Sequence, residues 1–399
     1  MKAEYFVVIF CLLFAGAYFT YAKRLNGWGN NDSSIVISGD NFYEEIKYSG
    51  RIGFTDDETS FKSITPGGYI NFRRNEDRVI AKSDKHGMIS YELSEDDNKL
   101  SLDSNGRKLI KEAVKEMIAQ GIDANARMER IYKQGGNRAL MDELVNLKND
   151  NVKRMYFEHI LKSDSLSSDD LSALAKKVST SFGSDQDKED VLKRFTIEQL
   201  KDSVTAIAYM NTVESFNDDY AKSSALKNIM TLAVSKELFP QVMQVINGIH
   251  DDNEKESLLR NIMDKGWLDD EQTDQVMEAA GHFNDDMQKE NLLMRLISKA
   301  GVAAKHFDKL LEMTGHFNDD NQKENLYKKL MGENNLSEEQ WISLINQTAN
   351  IGGDFEKSNF LIQLSQKMPK SDNVRAAYLK MAKTISDDSQ YGRTVRAVE

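Results

Sequence analysis

His250-Asp251-Asp252-Asn253-Glu254-Lys255-Glu256-Ser257-Leu258-Leu259 is followed by Asn284-Asp285-Asp286-Met287-Gln288-Lys289-Glu290-Asn291-Leu292-Leu293, and then by Asn318-Asp319-Asp320-Asn321-Gln322-Lys323-Glu324-Asn325-Leu326-Tyr327. The three stretches are versions of one another. Their second aspartate marks a longer series: Asp150, Asp185, Asp219, Asp252, Asp286, Asp320, Asp354 and Asp388. The intervals are 35, 34, 33 and then 34 four times, a regularity that chance does not produce.

The apolar residues keep the same period. Six and seven residues past the markers stand pairs such as Leu258 and Leu259, Leu292 and Leu293, Leu326 and Tyr327, Phe360 and Leu361. Ten past them stand Ile262, Leu296, Leu330 and Leu364. Residues three and four apart share a helix face, so each copy predicts one helix with a buried stripe. Leu258, Leu292, Leu326 and Leu361 are the expected repeat core. Asp251, Asp285, Asp319 and Asp387 each stand three residues before a Glu or Gln, which is capping-box spacing. These four aspartates are the expected N-caps, with the marker aspartate facing the positive end of the helix dipole. Gly353 replaces the cap in one copy.

A second helix fills each unit. Val276 and Met277, Leu310 and Leu311, Leu344 and Ile345, and Tyr378 and Leu379 are in register, followed by a small column of Ala280, Thr314, Thr348 and Ala382. Gly281 and Gly315 are expected to end two of these helices as C-caps. His282 with Phe283, and His316 with Phe317, are expected to pack in the turn that follows. Pro240 predicts a kink. Two helices per unit of about 34 residues predict an α-solenoid over 147–399. Its geometry is expected to be HEAT-like or tetratricopeptide-like, although the Trp, Gly, Tyr and Pro signature of the latter repeat is absent. Residues 105–146 read as a helical cap: Lys108–Gln120, Ala124–Gln134 and Arg138–Leu147.

Between 35 and 104 the period is two. Phe42, Ile46 and Tyr48 alternate with polar residues, as do Ile89, Tyr91 and Leu93. Further strands are predicted at Ile52–Phe54, Tyr69–Arg73, Arg78–Lys82 and Lys99–Leu102. Turns are predicted at Asp56-Asp57-Glu58, Pro66-Gly67-Gly68, Asn75-Glu76-Asp77 and Glu95-Asp96-Asp97-Asn98. This is a small antiparallel β domain, completed by the helix that begins near Gly106, so the chain is α+β overall. Arg73, Arg74 and Arg78 form a basic cluster, read first as a solvated strand edge and second as a ligand or lipid-headgroup contact.

Tyr5 to Ala22 is uncharged and mostly apolar. As a helix its eighteen residues would reach about 27 Å, close to a membrane span. It predicts a signal peptide or an N-terminal transmembrane anchor over 1–24, with cleavage patterns at Ala15-Gly16-Ala17 and Thr20-Tyr21-Ala22. Residues 25–34 predict a linker. Export to the cell envelope follows as the expected location, periplasmic or extracellular, with membrane contact if the segment is uncleaved.

The chain carries 52 Lys and Arg against 64 Asp and Glu, a formal charge of -12, which argues against nucleic acid as a partner. The single cysteine, Cys11, leaves the folded part without disulfides or a thiol nucleophile. The six histidines are His86, His159, His250, His282, His306 and His316. Equivalent positions in neighbouring units of such a stack lie about 10 Å apart, whereas zinc ligands meet within about 2 Å of one ion. His250, His282 and His316 therefore share no metal. The paired aspartates lack the alternating ligands, central Gly and terminal Glu of an EF-hand loop, and capping explains them. There is no glycine-rich phosphate loop and no G-x-S-x-G. No enzyme activity, catalytic residue, metal or cofactor is expected.

Two motifs carry a resemblance. Ile64-Thr65-Pro66-Gly67-Gly68-Tyr69 resembles the S-P-G-G-Y/F turn of a group of bacterial envelope proteins. The Asp-Asp-x-x-Lys copies, ending in Ile385-Ser386-Asp387-Asp388, resemble that group's helical repeats, which also stand behind the membrane part of some BlaR1-like M56 peptidases. The chain has no His-Glu-x-x-His, so the protease part is missing. The resemblance implies an exported sensory or scaffolding module. The residues imply a protein-binding scaffold whose solenoid groove takes an unidentified protein or peptide, a basic one if the aspartates form an acidic ridge. The alternative is a sensory module in which the β domain binds a ligand and the solenoid relays it. Self-association is a third option.

Overall fold

The computed structural model describes residues 8–11, 18–27, 30–39, 42–163, 165–230, 232, 236–266, 268–332 and 336–399. An antiparallel β region comes first, and a long run of α-helices with pairwise long-range packing follows, a helical-repeat, solenoid-like architecture. The chain divides into two compact units between Gln199 and Leu200.

In the first unit an eight-stranded sheet has the order β1-β2-β3-β4-β7-β8-β9-β10, with β1 Val8–Cys11, β2 Tyr18–Gly27, β3 Asn30–Gly39, β4 Phe42–Ser49, β7 Tyr69–Arg74, β8 Asp77–Ser83, β9 Ile89–Glu95 and β10 Asn98–Leu100. A separate hairpin, β5 Ile52–Phe54 with β6 Phe61–Ile64, is inserted between β4 and β7. The sequence pattern did not single out β6, because its burial runs in–out–out–in rather than alternating. Turn chemistry sets the register. Asp96 and Asp97 both have positive φ in the two-residue loop between β9 and β10, as a twist-matched hairpin turn demands. Gly67 has φ +75°, and a Cβ on Gly68 would press on the Ser49 and Thr65 carbonyls, so the turn after Pro66 needs both glycines.

The inner face of the sheet packs on the Ser104–Ala119 helix. Ile46, Ile70, Phe72 and Val79 of the sheet, with Phe54 of the separate hairpin, meet Leu109, Ile110, Ala113, Val114 and Met117 in one buried cluster. The Asp103 side chain caps this helix by accepting from the Asn105 and Gly106 amides. The Ala124–Glu143 helix is broken at Gly135 and Gly136, the latter at φ +62°, where the sequence pattern also changes segment.

Three expectations about the N-terminal stretch are corrected. The described residues of Tyr5–Ala22 are strands: β1 pairs with β2, and β2 continues through Ala22 and pairs with β3. Among the described residues no helix is long and apolar enough to cross a membrane. The transmembrane helix is overturned, and with it the membrane anchor, the membrane contact and the envelope location that rested on anchoring. The physical reason is that Val8, Ile9, Phe10, Tyr18, Phe19 and Tyr21 favour strands, while a short apolar run does not by itself distinguish helix from strand. The 25–34 linker is corrected too, since Leu25–Gly27 lies in β2 and Asn30–Ser34 in β3. The Ala15-Gly16-Ala17 pattern and Trp28 lie outside the described residues.

Every marker aspartate is the first residue of a helix: Asp150–Leu161, Asp185–Leu192, Asp219–Ile229, Asp252–Lys265, Asp286–Ile297, Asp320–Met331, Asp354–Ser365 and Asp388–Arg396. In the second unit these first helices alternate with second helices: Phe239–Asn247, Asp270–Gly281, Phe307–Gly315, Glu338–Gln347 and Asp372–Ala382. Leu258, Leu292, Leu326 and Leu361 are fully buried, as are Ala280, Thr314, Thr348 and Ala382. Neighbouring first helices touch, the Asp286 helix lying against those of Asp252 and Asp320. Tyr327 and Phe360 join the Asp320 and Asp354 helices, ring centroids 5.7 Å apart. Pro240 does not kink a helix; it stands in the first turn of Phe239–Asn247, where its missing amide costs nothing. Gly281 and Gly315 are the last helical residues, and His282 and His316 take the cap positions.

Candidate functional site

The repeat edge in the second unit is built from the N-termini of the first helices. Asp251 accepts from the Asn253 and Glu254 amides, Asp285 from Met287 and Gln288, Asp319 from Asn321 and Gln322, and Asp387 from Gln390. The reciprocal half of a capping box is absent at these four helices. It occurs instead at Ser167/Asp170, Asp269/Gln272 and Ser337/Gln340.

The reason lies in the marker aspartates, which reach across to the next repeat. Asp219 Oδ2 accepts from the His250 and Asp251 amides at 2.8 and 2.9 Å. Asp252 Oδ2 accepts from Asn284 and Asp285 at 2.7 and 2.9 Å. Asp286 Oδ2 accepts from Asn318 and Asp319 at 2.7 and 3.3 Å. Asp320 Oδ2 accepts from Gly352 at 2.9 Å, and Asp354 Oδ2 from Ser386 and Asp387, both at 2.9 Å. The cap residue's own amide is therefore already bonded to the preceding repeat, and the Glu or Gln three residues on is released. Glu254 instead meets the Ser223 hydroxyl, and the Gln288 amide reaches Asn253 at 2.7 Å.

In the copies from Asp219 to Asp320 the lysine three residues past the marker completes the link. Lys289 and Lys323 lie 3.8 and 3.0 Å from the Oδ1 of Asp286 and Asp320. Lys222 donates to the Gly248 carbonyl and Lys323 to the Asn350 carbonyl. Lys255 and Lys289 lie over the Phe283 and Phe317 rings, at 5.6 and 5.2 Å from the centroids. These lysines are buried, an arrangement tolerated only because each ammonium is paired or stacked. Burial pushes the Asp320 carboxyl up, but the Gly352 amide and Lys323 outweigh it and hold it below its ordinary value.

Lys289 and Lys323 offset the charge of Asp286 and Asp320, whereas Asp251, Asp285, Asp319 and Asp387 are exposed and keep theirs, each bonded to amides of its own helix. The histidine expectation is corrected: Phe283 and Phe317 fill the turns, while His282 and His316 are exposed and the His250 side chain is 92% exposed. His306 is half-buried, its Nδ1 3.3 Å from Asp274.

The first unit holds a cavity of about 630 Å³ beside the β region, lined by Glu58, Arg74, Glu116, Arg127, Glu143 and Lys148 among others. Of the basic cluster, Arg74 is not a solvated edge. It bridges Glu44 at 2.9 Å and Glu116 at 3.2 Å, and Lys148 reaches Glu116 at 2.7 Å. Arg73 donates to the Asn75 carbonyl and Arg78 to Asn71. Arg127 grips Glu58 with two donors, at 2.6 and 3.1 Å, and lies 2.9 Å from Glu143. Burial raises the Glu44 carboxyl above its ordinary value and Glu116 adds to the effect, more than Arg74 offsets. Glu44 Oε1 has no hydrogen-bond partner. The sequence reading missed Glu44 and Glu116. The signal was present: Glu44 shares the inward parity of Ile46 on β4, and Glu116 lies one turn beyond Ala113 on the buried stripe.

Among the described residues no group of three or more His, Cys, Asp or Glu is placed to hold a metal ion. No protein-family model matches the chain, and no curated protein does.

Proposed function

We propose that this chain is a non-enzymatic protein-interaction scaffold, in which stacked helix pairs of HEAT-like or tetratricopeptide-like geometry present one repeated surface. The observation that carries this reading is the staple: each marker aspartate fixes the start of the next first helix. Five successive copies in one unit hold neighbouring helices in a repeated relation. Such an array offers the same side-chain positions again and again, which suits recognition of an extended or helical partner. The sensory alternative would draw on an apolar pocket in the β region. The apolar residues of the β core are buried in one cluster, and the cavity beside it is walled largely by charged side chains, several of them paired, so the scaffold reading is preferred. The Pro-Gly-Gly turn and the Asp-x-x-Lys copies support, as part of the same proposal, a shared architecture with the family they resemble.

Cross-linking of the full-length protein in its native setting tests the reading. Cross-links from one partner, saturable and concentrated on the first helices of 200–399, are the expected result. Cross-links confined to the cavity walls, or a turnover activity lost on mutating them, would overturn it.

A further inference from the structure

The Ser104–Ala119 helix buries one face under the sheet, and its exposed face carries Arg107, Lys108, Lys111 and Lys115 against a single acid, Glu112. Over the whole chain acids outnumber bases, 64 to 52, so this stripe is a local reversal of charge. Lys111 stands between two cavities that are built in opposite ways. On one side is the cavity of about 630 Å³, where five cations face five carboxylates. On the other is a cavity of about 380 Å³, lined by the helix, the loop of the β5–β6 hairpin and Tyr91 of β9. Arg107, Lys108 and Lys111 line this one, and no carboxylate does.

The acids beside these residues in the chain have other partners. Asp57 accepts from the Thr55 and Thr59 hydroxyls, and Asp103 from the Asn105 and Gly106 amides. Glu112 lies 4.0 Å from Lys108 and lines the larger cavity. Among the described residues neither Arg107 nor Lys111 is in an ion pair. Like charges four residues apart on a helix repel, and no carboxylate offsets this pair. The remaining lining gives hydroxyls and an apolar part. Ser60 Oγ and the Tyr91 hydroxyl lie 3.4 Å apart, and Ser104 adds a third hydroxyl. The Tyr91 ring packs on Phe61, centroids 6.3 Å apart, so its hydroxyl is held in place by the core. Thr59 lines the cavity too, with its hydroxyl turned to Asp57. Ile110, buried, and Leu102, 50% exposed, complete the wall.

Three cations and several hydroxyls without a carboxylate call for an anionic ligand. A carboxylate brings one charge and two oxygens. A phosphate monoester brings nearly two charges and three acceptor oxygens, which matches this donor set better. The volume is at the lower end for small-molecule sites, about 300–1,000 Å³, and leaves room beside the anion for a carbon part. We propose that this cavity binds a small phosphate monoester, its phosphoryl group among Arg107, Lys108 and Lys111 and its carbon part against Ile110, Leu102 and the Tyr91 ring. The inference uses the first unit alone and is independent of the scaffold reading.

Titration calorimetry on the full-length protein with phenyl phosphate tests it, with inorganic phosphate and benzoate for comparison. Phenyl phosphate binds at least fivefold more tightly than either, because inorganic phosphate lacks the carbon part and benzoate the second charge. Its affinity rises as pH passes the second phosphate pKa, about 6, and that of benzoate does not. Arg107→Gln/Lys111→Gln, both surface changes, weakens phenyl phosphate at least tenfold. Lys85→Gln/Lys115→Gln, which removes the same charge outside this cavity, leaves it within twofold. No binding of phenyl phosphate at millimolar concentration would overturn the proposal, as would equal losses in the two double variants or equal affinity for inorganic phosphate. Capture on phosphatidic acid vesicles that phenyl phosphate does not displace would overturn it in favour of a lipid surface.

Discussion

Glu44 and Asp286 are carboxylates set into the protein beside a cation, yet they are treated in opposite ways. Glu44, under the sheet, shares one guanidinium with Glu116 and leaves an oxygen without a hydrogen bond. Asp286, in the repeats, gives one oxygen to Lys289 and the other to two backbone amides. A carboxylate that accepts backbone amides has replaced its water, whereas one that shares a single cation has not. The repeats also repeat the solution, so an occasional weak copy is supported by its neighbours; the β region has one copy of its network and no substitute.

The largest expected effect follows from this asymmetry. Arg74→Ala leaves Glu44 buried without its guanidinium, and breaking a buried pair in this way costs about 3–5 kcal/mol. Asp286→Ala removes the acceptor of two amides and the partner of a buried lysine, and should cost roughly 2–3 kcal/mol. Urea unfolding, with hydrogen exchange to separate the two regions, measures both. If Asp286→Ala were the more damaging, the staple would be the critical element and the comparison would be reversed.

Acid should sharpen the contrast, because the two carboxyls move in opposite directions. Glu44 binds its proton more tightly in the folded chain than its ordinary value of 4.5 implies. Its contribution is fully present below that value and is lost as pH rises through the raised folded value. Asp320 lies below its ordinary 3.8. Its contribution is present above 3.8 and is lost as pH falls through the lowered folded value. Acidifying from neutrality should therefore relieve the β region first and strain the repeats afterwards. Glu44→Gln should flatten the first phase and Asp320→Asn the second, read by hydrogen exchange in each region across the titration. Parallel behaviour of the two variants would show that the sites do not differ in kind.

The same contrast explains what could be read from the residues alone. The markers, the Leu258, Leu292 and Leu326 columns and the caps were legible because periodicity repeats each signal. The staple was not, because a capping-box spacing is satisfied equally by a bond within the helix and by one to the preceding repeat. Only the position of the neighbour decides, and no local pattern encodes it. The burial of Lys289 was not legible for the same reason: it depends on Phe317, which lies beyond the following helix. In the β region the strands from Phe42 onward, apart from Phe61–Ile64, followed from alternation and turn residues. Glu44 and Glu116 were overlooked although each interrupts an apolar register, since a charge on an inward position calls for a partner and Arg74 was at hand. At the N-terminus, length and hydropathy suggested a helix where pairing makes β1 and β2, because strand formation depends on β3 and β4, which lie outside that segment.

The smallest effect concerns the one first helix in the second unit without a side-chain cap. Gly353 precedes Asp354 with φ -94°, an ordinary conformation for any residue, and it makes no side-chain capping bond. Replacing glycine by a capping residue here should gain only a few tenths of a kcal/mol, since glycine is itself a tolerable cap. The choice of residue should decide the sign. A Cβ at this position would overlap the Glu356 carboxylate, which is exposed and free to turn away. Gly353→Ser supplies an acceptor without charge, and the displaced Glu356 remains beside the helix dipole, so a small gain is expected. Gly353→Asp supplies a better acceptor but sets it against Glu356 and Asp354, and like charges within one turn offset the cap. Thermal melts of the two variants at low and high salt should place serine above aspartate at low salt and bring them together at high salt. If aspartate led under both conditions, the repeat's preference for Asp at this position would be intrinsic to the cap, and glycine in this copy would be a loss without local compensation.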